Sequence, residues 1–167
     1  MIEVAGANGT EAMGVSGNNV VGLYLIPYMH QGIQAYTYQG FEYNTVSQVY
    51  RTLSVPGSVL TVAAGIDGNN IVGWYGSGAF LYDGSSYTLL NAPPGSVAGQ
   101  FVAYGISGNN IVGYYEPVGN GYQGYLATPI PEPSGMGLLA LGSVVIVIYG
   151  GRRSREKVSP KSSPNEH

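Results

Sequence analysis

One eleven-residue pattern occurs three times in this chain: GVSGNNVVGLY at 14–24, GIDGNNIVGWY at 65–75 and GISGNNIVGYY at 105–115. A sequence that repeats itself every few tens of residues builds one supersecondary unit several times and buries each unit against its neighbour. The pattern starts at 14, 65 and 105, so the first interval is longer than the second. Echoes continue outside it: AYTYQG at 35–40 matches AFLYDG at 79–84, with a shorter GYL at 124–126. VPGSV at 55–59 likewise matches PPGSV at 93–97.

The residues within a unit specify strands. On either side of Gly-Asn-Asn lie β-branched and aromatic runs, such as Val102–Ile106 before it and Ile111–Tyr115 after it. Gly and Asn tolerate the backbone of tight turns, so Gly17-Asn18-Asn19, Gly68-Asn69-Asn70 and Gly108-Asn109-Asn110 read as hairpin turns. A third strand is expected at Ala79–Tyr82, a second turn at Asp83-Gly84, and a fourth strand at Ser86–Leu90 before the Pro93-Pro94-Gly95 breaker. A glycine recurs inside the second strand at Gly22, Gly73 and Gly113, which points to a bulge or the close approach of another backbone.

Four strands in about 40 residues is the plan of a propeller blade. Units near 14–64, 65–104 and 105–128 make a β-repeat domain over 1–129, the third unit lacking its last strand. Two units and a part cannot close a propeller, which takes about four or more blades. The possibilities are a fragment of a longer array, a short open stack, or a three-fold trefoil-like or prism-like fold. The expectation is an all-β repeat domain of propeller-blade-like antiparallel sheets, open or incomplete, followed by one C-terminal transmembrane helix.

Composition narrows the chemistry. With 27 glycines, 15 tyrosines and only 9% charged residues, the chain does not resemble a charge-rich disordered segment. Up to Ile130 there is one basic side chain, Arg51, against six carboxylates, so nothing offers a footprint for nucleic acid. There is no cysteine and only two histidines, His30 and His167, which removes disulfides, thiolate sites and a histidine-based triad. Asp67 and Asp83 sit in Asp-Gly turns, but the spaced oxygen ligands and glutamate of a calcium loop are missing. Serine replaces Asp67 at positions 16 and 107, so a carboxylate is not a repeated requirement. No catalytic residue, metal site or cofactor is expected, and the protein reads as a non-enzyme.

The last forty residues differ from the rest. Pro131-Glu132-Pro133 interrupts any regular structure and leaves an extended linker over 130–134. Residues 135–151 carry no charge and contain LLALGSVVIVIY. A helix of that length rises roughly 25 Å, at the short end of what spans a bilayer core of about 30 Å. Arg152, Arg153, Arg155 and Lys157 follow immediately and mark the cytoplasmic side, which places the repeat domain outside. Residues 152–167 continue from this basic cluster into a polar, Pro/Ser-rich tail expected to be disordered.

Pro-Glu-Pro, a single short apolar helix and an arginine cluster, in that order, resemble the PEP-CTERM sorting signal of exported proteins in Gram-negative, often exopolysaccharide-producing, bacteria. The Gly-Asn-Asn units are also similar to repeat regions found ahead of that signal. The resemblance covers residues 130–157 and implies an exosortase, a membrane protease, as partner, with Pro131, Glu132 and Pro133 as its recognition segment. It implies a bacterial-envelope protein held once in the inner membrane, its C-terminus cytoplasmic, and then released to the cell surface or matrix. The chain departs from the family by continuing as KVSPKSSPNEH after the arginines.

The opening MIEVAGANGTEAMG has neither the basic nor the apolar region of a secretory signal, and it reads as entry in mid-repeat. The expectation is that upstream sequence supplies an export signal and further repeats. The tyrosines, with Trp74, are expected to pack strand faces. An alternative function follows from the same residues: a permanently anchored module whose aromatic, charge-poor face stacks on exopolysaccharide.

Overall fold

The computed structural model describes residues 2–128, which form eleven strands in three antiparallel sheets and no helix. The first sheet is a meander of β1 (Thr10–Ser16), β2 (Asn19–His30), β3 (Ile33–Asn44) and β4 (Val49–Leu53). The second repeats it with β5 (Thr61–Asp67), β6 (Asn70–Tyr75), β7 (Gly78–Tyr82) and β8 (Tyr87–Leu89). The third has β9 (Ser96–Ser107), β10 (Asn110–Pro117) and β11 (Gln123–Ala127). Each sheet starts ahead of its Gly-Asn-Asn pattern, at residues 10, 61 and 96, because the first strand of a unit precedes the turn. The span 135–151 lies outside the described residues, among which no helix is long and apolar enough to cross a membrane.

The first hairpin of every sheet closes through two residues, Gly17-Asn18, Gly68-Asn69 and Gly108-Asn109, while Asn19, Asn70 and Asn110 open the next strand. The glycines have φ of 56°, 59° and 55°, and the asparagines beside them stay at negative φ. Positive φ at the first central residue alone is the type II′ pattern, which demands Gly there and matches the twist of the flanking strands.

Shortly before each turn the first strand bulges. Pairing skips Met13 between Ala12 and Gly14, Ala64 between Ala63 and Gly65, and Tyr104 between Ala103 and Gly105. The bulge pushes a first-strand carbonyl into the second strand. A Cβ on Gly22, Gly73 or Gly113 would lie 1.9, 1.8 or 2.0 Å from the oxygens of Glu11, Val62 and Val102. The ring of Phe41, Phe80 or Tyr125, directly across on the third strand, fills the remaining space over that glycine.

The unequal repeat intervals have one origin. From Gly22 to its partner Phe41 the chain spends a long hairpin arm, Ile26–Thr37, where the second sheet turns tightly from Gly73 to Phe80. Pro27 sits on this arm beyond the end of β1, where its missing N–H faces no partner strand. Tyr28, Met29, Ile33 and Tyr36 on the arm are exposed.

The core lies between sheets. Val21, Leu53 and Val55 of the first unit pack with Ala63, Ile66, Ile71, Phe80 and Tyr82 of the second. Val72, Ala79 and Leu90 of the second pack with Phe101, Ala103, Ile111 and Tyr125 of the third. Alternation along each strand thus sends one set of side chains back and the other forward, so the middle sheet is covered on both faces. Burying each of these phenylalanines contributes about 1.5–3 kcal/mol. Arg51, the one Lys or Arg among the described residues, adds a tie across the first seam: it pairs with Glu42, donates to the Tyr82 hydroxyl at 3.1 Å and lies over that ring at 5.1 Å.

Tyr125 replaces the phenylalanine of the other two units, and its hydroxyl is buried without a hydrogen-bond partner. Burial pushes the phenol well above its ordinary value near 10. The folded state therefore keeps a proton that the unfolded chain releases, so stabilisation present below about pH 10 is lost as the pH rises beyond it. Tyr125→Phe is expected to gain about 1 kcal/mol in urea unfolding at neutral pH, since it removes an unsatisfied polar atom. The same variant is expected to resist alkaline unfolding better than the parent chain.

Candidate functional site

The sequence-derived sorting residues Pro131, Glu132 and Pro133, and the basic residues Arg152, Arg153, Arg155 and Lys157, lie outside the described residues. The repeat turns are described, and the structure brings all three to one edge of the stack. Ser16 Oγ accepts the Gly68 N–H at 3.1 Å, and Asp67 Oδ2 accepts the Gly108 N–H at 2.5 Å. The second and third turns are therefore each held by the side chain that precedes the turn of the sheet before it.

The first strands line the same edge. A Cβ on Gly14 would come within 2.9 Å of the Ala64 carbonyl oxygen, and one on Gly65 within 2.8 Å of the Tyr104 carbonyl oxygen. These glycines let neighbouring bulges nest backbone to backbone. The connections entering the strands are alike as well. The Ala7, Ser58 and Ser96 amides donate to the Val4, Val55 and Pro93 carbonyls at 3.0–3.1 Å, with Gly6, Gly57 and Gly95 at φ of 78–80°. Residues 4–7 thus adopt the turn that the other two units use between sheets.

Three of the carboxylates are occupied structurally and separately. Glu42 pairs with Arg51, and Asp67 holds the third turn. Asp83 accepts from the Ser85 and Ser86 amides and hydroxyls, which hold its carboxyl well below the usual carboxylate range. Asn44 makes the same Asx turn in the first sheet. Among the described residues no three His, Cys, Asp or Glu side chains come together as a metal site. A concavity lined by Ile2–Thr10 carries one carboxylate, Glu3, which is no acid/base pair.

What the structure does assemble is an aromatic strip. Trp74 of the second sheet meets Tyr104 of the third at 5.0 Å between ring centroids. Tyr104 meets Tyr114 at 5.8 Å, and Tyr114 meets Tyr122 at 4.7 Å. Tyr104 and Tyr122 are exposed, so the strip runs from the seam onto the uncovered face of the third sheet. Reading strand by strand does not reveal this strip, because Tyr104 is the bulged residue and leaves the alternation of its strand.

Asp67 yields a direct test of the turn tie. Asp67→Ser, which copies positions 16 and 107, is expected to leave stability within about 0.5 kcal/mol, as ordinary surface replacements do. Asp67→Ala is expected to lose about 1 kcal/mol by freeing the Gly108 amide. Equal unfolding midpoints for the two variants would show that the bond contributes nothing.

Compared with protein-family models, with curated proteins and with solved structures, the chain matches none.

Proposed function

We propose that this chain is an exported, non-enzymatic surface or matrix-associated protein, processed by an exosortase at a PEP-CTERM signal. Its three sheets are read as propeller-type blades in an incomplete array, and residues 135–151 as a single membrane-spanning helix. The observation that carries this reading is the order of Pro131-Glu132-Pro133, an uncharged apolar run and Arg152, Arg153, Arg155 and Lys157. A body in which Glu42, Asp67 and Asp83 serve a seam and turns is consistent with it. Mass spectrometry of the mature protein in an exosortase-containing host tests the reading. A C-terminus near residue 133 is expected, and an intact chain through His167 would overturn it.

The aromatic strip favours a second reading, a permanently anchored module that binds exopolysaccharide. Tyr and Trp present flat apolar faces with a polar atom at one end, the chemistry that suits sugar rings. Retention on the host polysaccharide, lost in Tyr104→Ala with Tyr122→Ala, is the expected result. Equal retention of that double variant would remove the strip from consideration.

A further inference from the structure

Both four-stranded sheets place one tyrosine directly opposite another across their last two strands. Tyr43 of β3 pairs with Tyr50 of β4, and Tyr82 of β7 pairs with Tyr87 of β8. The two pairs occupy equivalent positions, because Tyr43 and Tyr82 each lie two residues beyond the phenylalanine that covers the second-strand glycine. Tyr50 also stands edge-on to Phe41 at 6.0 Å, as Tyr87 does to Phe80 at 5.5 Å. In the third sheet the position of Tyr43 and Tyr82 is taken by Ala127, which has no ring.

The ring centres are 4.4 Å apart at 34° in the first pair and 4.7 Å apart at 41° in the second. Two phenyl rings joined by a single bond have centres separated by two ring radii and that bond, and they twist about it. Both pairs already lie near that separation and twist, so joining them asks little movement of either strand. The backbone register sets the spacing, since directly opposed residues are the nearest neighbours across a ladder. Tyr82 is held further: its hydroxyl donates to the Gly84 carbonyl at 2.7 Å and accepts from Arg51. Tyr43, Tyr50 and Tyr87 are half-buried, so each pair keeps at least one ring partly open to solvent.

We propose that Tyr43 with Tyr50, and Tyr82 with Tyr87, are oxidative cross-linking sites, each pair joined as dityrosine by a haem peroxidase and hydrogen peroxide. The peroxidase takes one electron and one proton from each phenol, leaving two phenoxyl radicals whose unpaired spin reaches the carbons ortho to oxygen. One ortho carbon of each ring enters the new bond. The hydrogens on those carbons pass as protons to the oxygens, which restores both phenols. Two electrons and two protons leave the pair, and one hydrogen peroxide takes them up as two waters. The chain has no cysteine, so no disulfide closes its strands. A bond at these positions closes the loops 44–49 and 83–86 and fastens β4 and β8, the strands from which the chain leaves for the next sheet. It acts as a disulfide does, by restricting the unfolded chain. None of this depends on the sorting reading.

The test treats the full-length chain, in detergent, with peroxidase and hydrogen peroxide and then isolates the denatured monomer. Mass spectrometry is expected to find peptides joined through Tyr43 and Tyr50 and through Tyr82 and Tyr87, each lighter by two hydrogens, with dityrosine fluorescence in the monomer. Tyr50→Phe is expected to remove the first link alone, and Tyr87→Phe the second alone. The linked monomer is expected to unfold at higher urea than the untreated chain. Peptide mapping of the parent chain needs no substitution, so the result does not hang on how the variants fold. Among the described residues Tyr28, Tyr36, Tyr38, Tyr104 and Tyr122 are the exposed tyrosines. Links formed only among these, or only between chains, would show that exposure rather than register selects the partners, and would overturn the proposal. Absence of dityrosine from the monomer would overturn it as well. An unchanged urea midpoint with both links in place would remove their role as staples.

Discussion

Gly73→Ala is expected to prevent the middle sheet from forming, with a loss of at least about 3 kcal/mol. The added Cβ would lie 1.8 Å from the Val62 oxygen and 2.9 Å from its carbonyl carbon, and both belong to backbone. No rotamer change relieves such a contact. The Val62 carbonyl is placed by the bulge at Ala64, and on the other side Phe80 Cε1 stands 3.1 Å away. Either the bulge must be rebuilt or the β5–β6 pairing must part. Since the middle sheet covers both neighbours, the loss reaches both seams and is a large share of a typical stability of 5–15 kcal/mol. Gly121→Ala is the control, because its Cβ meets nothing within 4 Å and its φ is not positive. That variant is expected to unfold at or slightly above the parent midpoint. Urea unfolding of the two chains in parallel decides the matter, and equal midpoints would refute the account of the bulge.

Gly73 also shows what kind of information the sequence carries plainly. A glycine among β-branched and other bulky apolar or aromatic residues in all three units signals a place where no side chain fits, and the structure supplies the obstructing carbonyl. The Gly-Asn turns are equally legible, because type II′ geometry is set by the two residues in the loop. Among the described residues the third sheet has three strands. Contacts between units are less legible, since they depend on which faces meet after the sheets have formed. Position 67 illustrates this. Judged as a carboxylate it does not repeat, but judged as a side-chain oxygen it repeats at Ser16, and its use lies across a seam. The long arm Ile26–Thr37 left a trace in the unequal repeat intervals, although the intervals alone do not say which loop has grown. For the sorting residues the sequence pattern stands alone.

Phe80→Ala is expected to cost about 3–5 kcal/mol and to separate the first unit from the other two in unfolding. Phe80 is fully buried, in one cluster with Val21, Leu53 and Val55 of the first unit and edge-on to Tyr87 at 5.5 Å. Truncation leaves a ring-sized void that backbone cannot collapse into, because Gly73 beneath it is pinned by the Val62 carbonyl. In a stack of repeats, stability is a sum of unit terms and nearest-neighbour seams. Removing the largest fully buried side chain that the second unit contributes to the first seam therefore weakens coupling there more than it weakens the second seam. Aromatic probes distinguish the two halves: Trp74 reports on the second seam through Tyr104, while Tyr43 and Tyr50 report on the first unit. In the parent chain the fluorescence of Trp74 and the circular dichroism of all three sheets are expected to change together. In Phe80→Ala the circular dichroism is expected to begin falling at lower denaturant than the Trp74 signal, and Phe80→Leu should restore most of the coincidence. Coincident transitions in Phe80→Ala, shifted by less than about 1 kcal/mol, would mean that the first seam is held chiefly by other contacts, with the Arg51 tie the next to remove.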